Sequence, residues 1–595
     1  MPTTTPEGDP PAALVPLLRV RLRPYAAPTA LLLLLQLVQA LGLLLLPTLH
    51  ADIVDNGIAA GDTGYILRRG AVMLAVTLVQ AAGAAATVYL GAKVAMGLGR
   101  DLRAALFDRV QGFSAREFAG FGAPTLITRT TNDVYQVQTL AFTALTLMVT
   151  APLMGAGGVV LALRQDVALT GVLAVAIPVQ VAAISLIILR MVGPSQLMQG
   201  RIDAVNRVLR EQITGIRVVR AFVREPHEHE RFASANTDLM AVAVRLGRLQ
   251  AFFGASAMAV ATLASVAVLA LGGPRIVEGA MQPGALIAFL TYLSQILGAV
   301  MMAMSVFVLA PRAEVAAGRI TEVLSTEPSL PEPSEPARRA SRPRGPAGSG
   351  SLDIAGVSFG YPGAEQPVLR GVDLITRPGE TTAVVGSTGA GKTTLVRLVA
   401  RLLAPDEGTV RLDGTDLRDM DRRTLAATVG LVPQRAYLFS GTIASNLRYG
   451  DPDADEARLW RALETARAAD FVRAMPDGPD TAVGQGGITV SGGQRQRLAI
   501  ARALVAEPRL YVFDDAFSAL DTATDAAVRA SLDAAVGDAA RLVVAQRVST
   551  IRTADRIVVL DAGRVEAVGT HDELLSASPT YAEIVDSQRI PEEAA

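Results

Sequence analysis

The sequence predicts a multidomain membrane protein: a six-helix, all-α transmembrane domain with long helical extensions outside the bilayer, then an α/β domain with a largely parallel sheet and a helical subdomain. Three observations carry this. Six long stretches contain no charged residue. Half of the 595 residues are hydrophobic and only 19% are charged, which excludes a disordered chain and is unusual for a soluble enzyme. Beyond residue 351 the apolar runs shorten to strand length and alternate with helical patterns.

The charge-free stretches are Tyr25–Leu49, Gly70–Ala92, Val134–Leu163, Val167–Leu189, Leu249–Pro274 and Gly279–Pro311. Crossing ~30 Å of hydrocarbon takes about 20 apolar residues, and each stretch is long enough. The first is too long, and lacks a clear small-residue cleavage site, to read as a signal peptide. Basic residues crowd one side: Arg19, Arg21 and Arg23 before the first span, six between Lys93 and Arg129, ten between Arg190 and Arg248. The opposite loops carry only Arg68, Arg69, Arg164 and Arg275. The positive-inside rule then places both termini and the second domain in the cytoplasm of a multi-pass plasma-membrane protein. The inner segments Lys93–Asp133 and Arg190–Arg248 are rich in helix formers, so the membrane helices are expected to continue inward, turn and return. Ala12–Arg23 mixes apolar residues with arginine and reads as a helix on the inner membrane surface, or else as a frayed tail.

Composition closes several routes. There is no cysteine, which removes disulfides, thiolate metal sites and thiol catalysis. A net charge of -1 gives no nucleic-acid signature. Lysine occurs only at Lys93 and Lys392, arginine everywhere else; with abundant alanine this points to a GC-rich bacterial genome. The domain boundaries read as 1–325 for the membrane part, 326–350 for a proline- and serine-rich linker, 351–589 for the α/β domain and 590–595 for a tail.

The second domain contains Gly386-Ser387-Thr388-Gly389-Ala390-Gly391-Lys392-Thr393, after the strand-like run Thr382–Val385 and before a helical run from Thr394. This is G-x-x-x-x-G-K-[ST] in its required strand–loop–helix context. Glycines let backbone N–H groups close around phosphate oxygens, and the helix adds its positive end. Lys392 is expected on the β- and γ-phosphates of ATP and the Thr393 hydroxyl on Mg²⁺. A compact ammonium suits this loop where a planar guanidinium does not, which accounts for the surviving lysine. The strand Leu510–Phe513 runs into Asp514, read as the metal-side acid, and Asp515, at the position of a general base or water-orienting acid.

Together these residues resemble the ATP-binding cassette transporters. Tyr361, in Gly356-Val-Ser-Phe-Gly-Tyr361, looks like the aromatic that stacks on adenine; Gln434, in Leu431-Val-Pro-Gln434, looks like the glutamine beside the metal and the reacting phosphate. Ser491-Gly492-Gly493-Gln494, 99 residues after Lys392, is similar to the family signature, which meets ATP bound to the opposite subunit; Ser518-Ala-Leu-Asp521 looks like the loop that follows the catalytic acid. In the membrane half, Gly215–Phe222 and Thr131-Asn-Asp133 also look like the family. Six spans ahead of one cassette resemble an exporter half-transporter of the type IV fold. The resemblance implies a dimer with two MgATP between the cassettes, and coupling helices near Phe118–Thr125 and Ala221–Glu228. Phe118, Phe121 and Phe222 read equally as simple helix-tip packing. His227 and His229 form H-x-H, either a zinc pair or a solvated helix tip.

Two positions depart from the family. Asp515 replaces its catalytic glutamate and Gln546 its switch histidine. Gln485 also replaces an acidic residue ahead of the signature. Asp515 is one methylene short, and Gln546 holds no titratable proton. The pattern implies a heterodimer subunit that carries the degenerate nucleotide site, binds ATP there, hydrolyses it poorly, and lends its signature to a competent partner. Alternatives are a homodimeric exporter with slow hydrolysis, an importer of an iron chelate, and a non-hydrolysing regulatory subunit. The transported molecule is expected to be hydrophobic or amphipathic, drug- or lipid-like, because no span is charged. Gln36, Gln39, Gln80, Tyr292, Ser294, Gln295, Met301, Met302 and Met304 are candidate path-lining or helix-packing groups.

Overall fold

In the computed structural model, residues 13–147, 149–330 and 350–588 are described. They fall into two compact units: residues up to Gln111 with Ala123–Thr326, and Gly112–Gly122 with the residues from Glu327 onward.

The first unit contains six helical passages long and apolar enough to cross a membrane: Arg23–Ile58, Thr63–Gln111, Ala123–Gln165, Val167–Ala221, Glu225–Val277 and Pro283–Ser325. Those from Thr63, Val167 and Glu225 hold 49, 55 and 53 residues. At 1.5 Å per residue they are about 73–83 Å long, far beyond the ~30 Å hydrocarbon core. Val167–Ala221 begins on Asp166, whose carboxylate caps Leu169 N–H and pairs with Arg275 at 2.8 Å. The segment between the fourth and fifth spans is therefore a helical hairpin, Val167–Ala221 returning as Glu225–Val277, and its tip is a three-residue turn with Val223 at φ +53°. No separate coupling helix forms over Ala221–Glu228, contrary to expectation. Leu14–Arg21 is helical, with Leu14 and Leu17 buried and Val15 and Val20 exposed. Glu314 caps its start, accepting from Ala13 N–H at 2.6 Å.

The polar residues of the spans mostly serve the backbone. Pro47 cannot donate to the Leu43 carbonyl, and Gln295 Nε2 does so instead at 3.1 Å. Tyr292 is fully buried and donates to Leu44 O at 3.0 Å. Val149, just ahead of helix Thr150–Gln165, is a turn residue; beside it Gln36 Nε2 donates to Leu145 O at 2.5 Å while its Oε1 accepts from Val149 N–H at 3.3 Å. Gln36 and Tyr292 are thus packing groups, not lining groups: burial within one chain cannot be undone by adding a second. Ser294 and Met302 remain exposed. The core is Leu44, Met154, Leu169, Phe289, Leu293 and Ile296, and Gly158 lets Ile296 approach to where a Cβ would sit only 2.7 Å away.

The second unit carries twelve strands: β1 (Leu352–Phe359), β2 (Leu369–Thr376), β3 (Thr381–Val385), β4 (Glu407–Leu412), β5 (Thr415–Asp416), β6 (Val429–Val432), β7 (Gly441–Thr442), β8 (Ala482–Val483), β9 (Leu510–Asp514), β10 (Ala540–Val544), β11 (Arg556–Asp561) and β12 (Arg564–Gly569). The central sheet runs β12-β11-β3-β10-β9-β6, parallel except for the β12 edge. β9 and β10 are buried throughout, which is why apolar residues follow one another in them without alternation, Arg541 and the terminal Asp514 apart. A smaller antiparallel sheet, β2-β1-β4-β5, packs on one core, and the helices Ile443–Leu447, Glu456–Thr465, Ala469–Arg473 and Gly492–Val505 build the helical subdomain.

Residues 112–122 belong to this unit, although the sequence reading assigned them to the membrane part. Their helix is Ala115–Phe121, three residues earlier than the Phe118–Thr125 expectation. Ser114 and Glu117 form a reciprocal capping box that starts it, and Gly122 at φ +74° ends it. Phe113 stacks on Phe121 at 5.8 Å, Ala115 N–H donates to Leu402 O at 3.2 Å, and Arg422 donates to Gly112 O at 3.2 Å.

Candidate nucleotide site

β3, β9 and β10 end side by side: Val543 pairs with Ala383 and Phe513, and Val544 with Val384 and Asp514. The loops leaving a parallel sheet at its carboxyl edge share one crevice. That register alone brings the loop after Val385, the acids Asp514 and Asp515, and Gln546 together.

Gly386 has no room for a side chain, since a Cβ would strike the Leu560 carbonyl. Gly391, at φ +102°, is the N-cap of helix Lys392–Val399 and supplies no side-chain cap, so the first N–H groups of that helix are left for an anion. Lys392 is 8% exposed, and its Nζ donates to Gly386 O at 2.7 Å and Ser387 O at 2.8 Å, folded back over the loop. Burial pushes its pKa down; the carboxylates of Asp515 and Asp514 oppose that. Thr393 Oγ1 donates to Asp514 Oδ1 at 3.3 Å. Burial raises the Asp514 carboxyl above the ordinary range, against the Thr393 hydrogen bond. A hydroxyl beside a buried carboxylate is a hard-oxygen pair, and Mg²⁺ fits it.

Asp515 is buried and takes a left-handed conformation, φ +49°, with its N–H donating to Val544 O at 2.8 Å. Its carboxylate accepts from Gln434 Nε2 at 3.0 Å. A cavity of about 370 Å³ is lined by Lys392, Thr393, Gln434, Asp514, Asp515 and Gln546, with Thr388, Gly389 and Thr394 beside them. Both departures from the family pattern therefore face one space.

Other expected residues lie elsewhere. The Tyr361 ring packs edge-on against Phe359 at 5.1 Å, and its hydroxyl meets Thr394 Oγ1 at 3.2 Å and accepts from Arg397 at 3.1 Å. Ser491–Gln494 does not line the cavity. Ser491 is exposed and caps helix Gly492–Val505 in a reciprocal capping box with Gln494. Asp521 is an exposed N-cap, held below the ordinary carboxylate range by the Thr524 N–H and hydroxyl. Gln485 opens the short turn Gln485–Gly487. Among the described residues no group of three or more His, Cys, Asp or Glu could hold a metal ion, so the His227–His229 pair has no third ligand of that kind.

Sequence reasoning overlooked two arginines. Arg397 sits one helical turn beyond Thr393 and ties Tyr361 to the phosphate-loop helix; that spacing was a usable signal. Arg547, directly after Gln546, donates to Leu520 O at 3.1 Å and Ser518 O at 3.0 Å. Its bonds cross 27 and 29 residues, and nothing local announced them.

The ABC transporter transmembrane region matches residues 29–300, and the ABC transporter domain, an ATP-binding domain, matches residues 369–518. An uncharacterised ABC transporter ATP-binding protein of Mycobacterium tuberculosis is 50% identical over 580 residues, covering 97% of this chain and 98% of that protein. An ATP-dependent lipid A-core flippase of Chromobacterium violaceum is 33% identical, over 89% of this chain and 90% of its own. The solved structure of a bacterial Atm1-family ABC exporter with ATP bound superposes with a TM-score of 0.78 at 25% identity, over 96% of this chain and 100% of that one. Six apolar helical passages followed by one P-loop cassette, over the full span of such relatives, place the chain in the ABC transporter family, as a half-transporter with the exporter fold.

Proposed function

We propose that this chain is the degenerate-site subunit of a heterodimeric, ATP-driven exporter in the plasma membrane, with both termini and the cassette cytoplasmic. One observation carries the reading: Asp515 and Gln546 line the cavity that also holds Lys392, Thr393 and Asp514, while Ser491–Gln494 is not part of its lining. The binding parts are kept and the two groups that would drive hydrolysis are altered. Gly386–Thr394 would cradle the phosphates, Tyr361 would meet the adenine, and Thr393, Asp514 and Gln434 would hold Mg²⁺, which supplies charge neutralisation at the β- and γ-phosphates. Ser491–Gln494 and Asp521 would meet ATP seated on the partner.

Closure of the cassettes on ATP would be coupled to alternating access, driven by the different affinity of the two states for nucleotide. This chain's site would hold ATP and keep the cassettes together, and the partner's site would hydrolyse. Exposed Ser294 and Met302 and half-buried Gln39, Gln80, Met301 and Met304 are the remaining path-lining candidates; uncharged spans and a flippase relative support an amphipathic, lipid- or drug-like substrate.

The test is native mass spectrometry of the tagged chain extracted gently from its own membrane. A stoichiometric second half-transporter is the expected result. A clean homodimer sinks the heterodimer reading and leaves two identical, slow sites.

A further inference from the structure

The loop bearing Gln546 is held from behind by a residue far along the chain. Gln588, in the last turn of helix Pro579–Gln588, donates from Nε2 to Gln546 O at 2.7 Å and accepts at Oε1 from Val548 N–H at 2.8 Å. One amide thus spans both sides of Arg547. The arrangement has a physical cause. Helix Val548–Ile551 has Arg547 as its N-cap, and an arginine side chain cannot accept a hydrogen bond. The first N–H of the helix would be orphaned, and Gln588 supplies the acceptor that the local sequence lacks. Arg547, freed from that task, reaches forward to the carbonyls of Ser518 and Leu520. The loop is therefore fastened behind by Gln588 and in front to the segment ahead of Asp521.

We propose that Gln588 is a positioning residue for Gln546: the helix Pro579–Gln588 holds the loop so that the Gln546 amide stands in the nucleotide cavity, and Arg547 passes the same constraint to the Ser518–Asp521 loop. The functional half of this rests on the reading above, in which Gln546 meets the γ-phosphate.

The experiment uses the full chain in lipid nanodiscs. Affinities for MgATP and MgADP are measured for wild type, Gln588→Ala, Gln588→Glu, Gln546→Ala and the double variant, with hydrogen exchange followed in residues 545–551. Gln588→Ala is expected to weaken MgATP by about three- to tenfold, the size of one or two hydrogen bonds, and to leave MgADP within about twofold. Exchange at 545–551 should quicken. The double variant should lose no more than Gln546→Ala, and Gln588→Glu, which keeps the acceptor and loses the donor, should fall between. Unchanged exchange in Gln588→Ala overturns the latch. A parallel fall for ATP and ADP that tracks the melting temperature overturns the positioning role and leaves a packing one. If Gln546→Ala itself leaves the ATP-to-ADP ratio untouched, the γ-phosphate reading fails, and the exchange result still decides the latch by itself.

Discussion

The Gln434 amide donates to the Asp515 carboxylate at 3.0 Å, inside the cavity that also receives Lys392 and Gln546. On the proposed reading, an acid competent for hydrolysis would instead be free to orient water. Here a side chain one methylene shorter is anchored in a left-handed backbone conformation by its own N–H to Val544 and by the Gln434 amide. On the proposed reading, binding and turnover are separable in this cassette.

Asp515→Glu combined with Gln546→His should restore turnover. The added methylene moves the carboxylate by about 1.5 Å, and misplacement of about 1 Å can cost ~100-fold. Steady-state ATPase of the reconstituted complex, with hydrolysis at the partner's site blocked, should rise by one to two orders of magnitude. No gain would mean that geometry at Asp515 does not limit the site.

Lys392→Ala should abolish nucleotide binding at this site, because the ammonium already bridges Gly386 O and Ser387 O in the loop that must close on phosphate. Lys392→Arg should fare little better, since the position is buried and a guanidinium is too broad. Photolabelling with an azido-ATP on the full complex reads this out; retained labelling of this chain would contradict it.

Asp514→Asn should raise the melting temperature without nucleotide and erase the extra stabilisation by Mg²⁺ over EDTA in the presence of ATP. The Asp514 pKa is raised by burial, so the folded state holds the proton more tightly than the unfolded one. The associated stability is fully present below the unfolded-state pKa and is lost as pH rises through the folded value. At neutral pH the carboxylate is a cost, which the amide removes and which Mg²⁺ offsets in the wild type. A lower melting temperature for the nucleotide-free variant would reverse the argument.

Gln36→Leu should destabilise the membrane unit without altering substrate selectivity. It strips partners from Leu145 O, a buried group that costs about 1–3 kcal/mol when unpaired, and from the part-buried Val149 N–H. Met302→Ala, at an exposed position, should do the opposite: little change in melting, a changed transport profile. Thermal unfolding and transport of a substrate panel in proteoliposomes distinguish the two.

The elements legible in the chain are those with local signals. Charge-free runs mark the six passages because hydrocarbon tolerates no unpaired charge over that length. The phosphate loop and the strands into Val385 and Asp514 are legible because glycine spacing and apolar runs record backbone demands within a few residues. The Ser114–Glu117 capping box was equally local and went unread. Tertiary structure alone decided what the remaining side chains face. Parallel pairing of β3, β9 and β10 puts Asp515 and Gln546 into one cavity, although they lie 31 residues apart. Gln36 looked like a lining group until two backbone groups more than a hundred residues away, Leu145 O and Val149 N–H, claimed both ends of its amide. Gln588 meets its loop across 42 residues. Such contacts leave no periodicity in the chain, because an amide that satisfies a distant backbone group is indistinguishable in sequence from one that faces water.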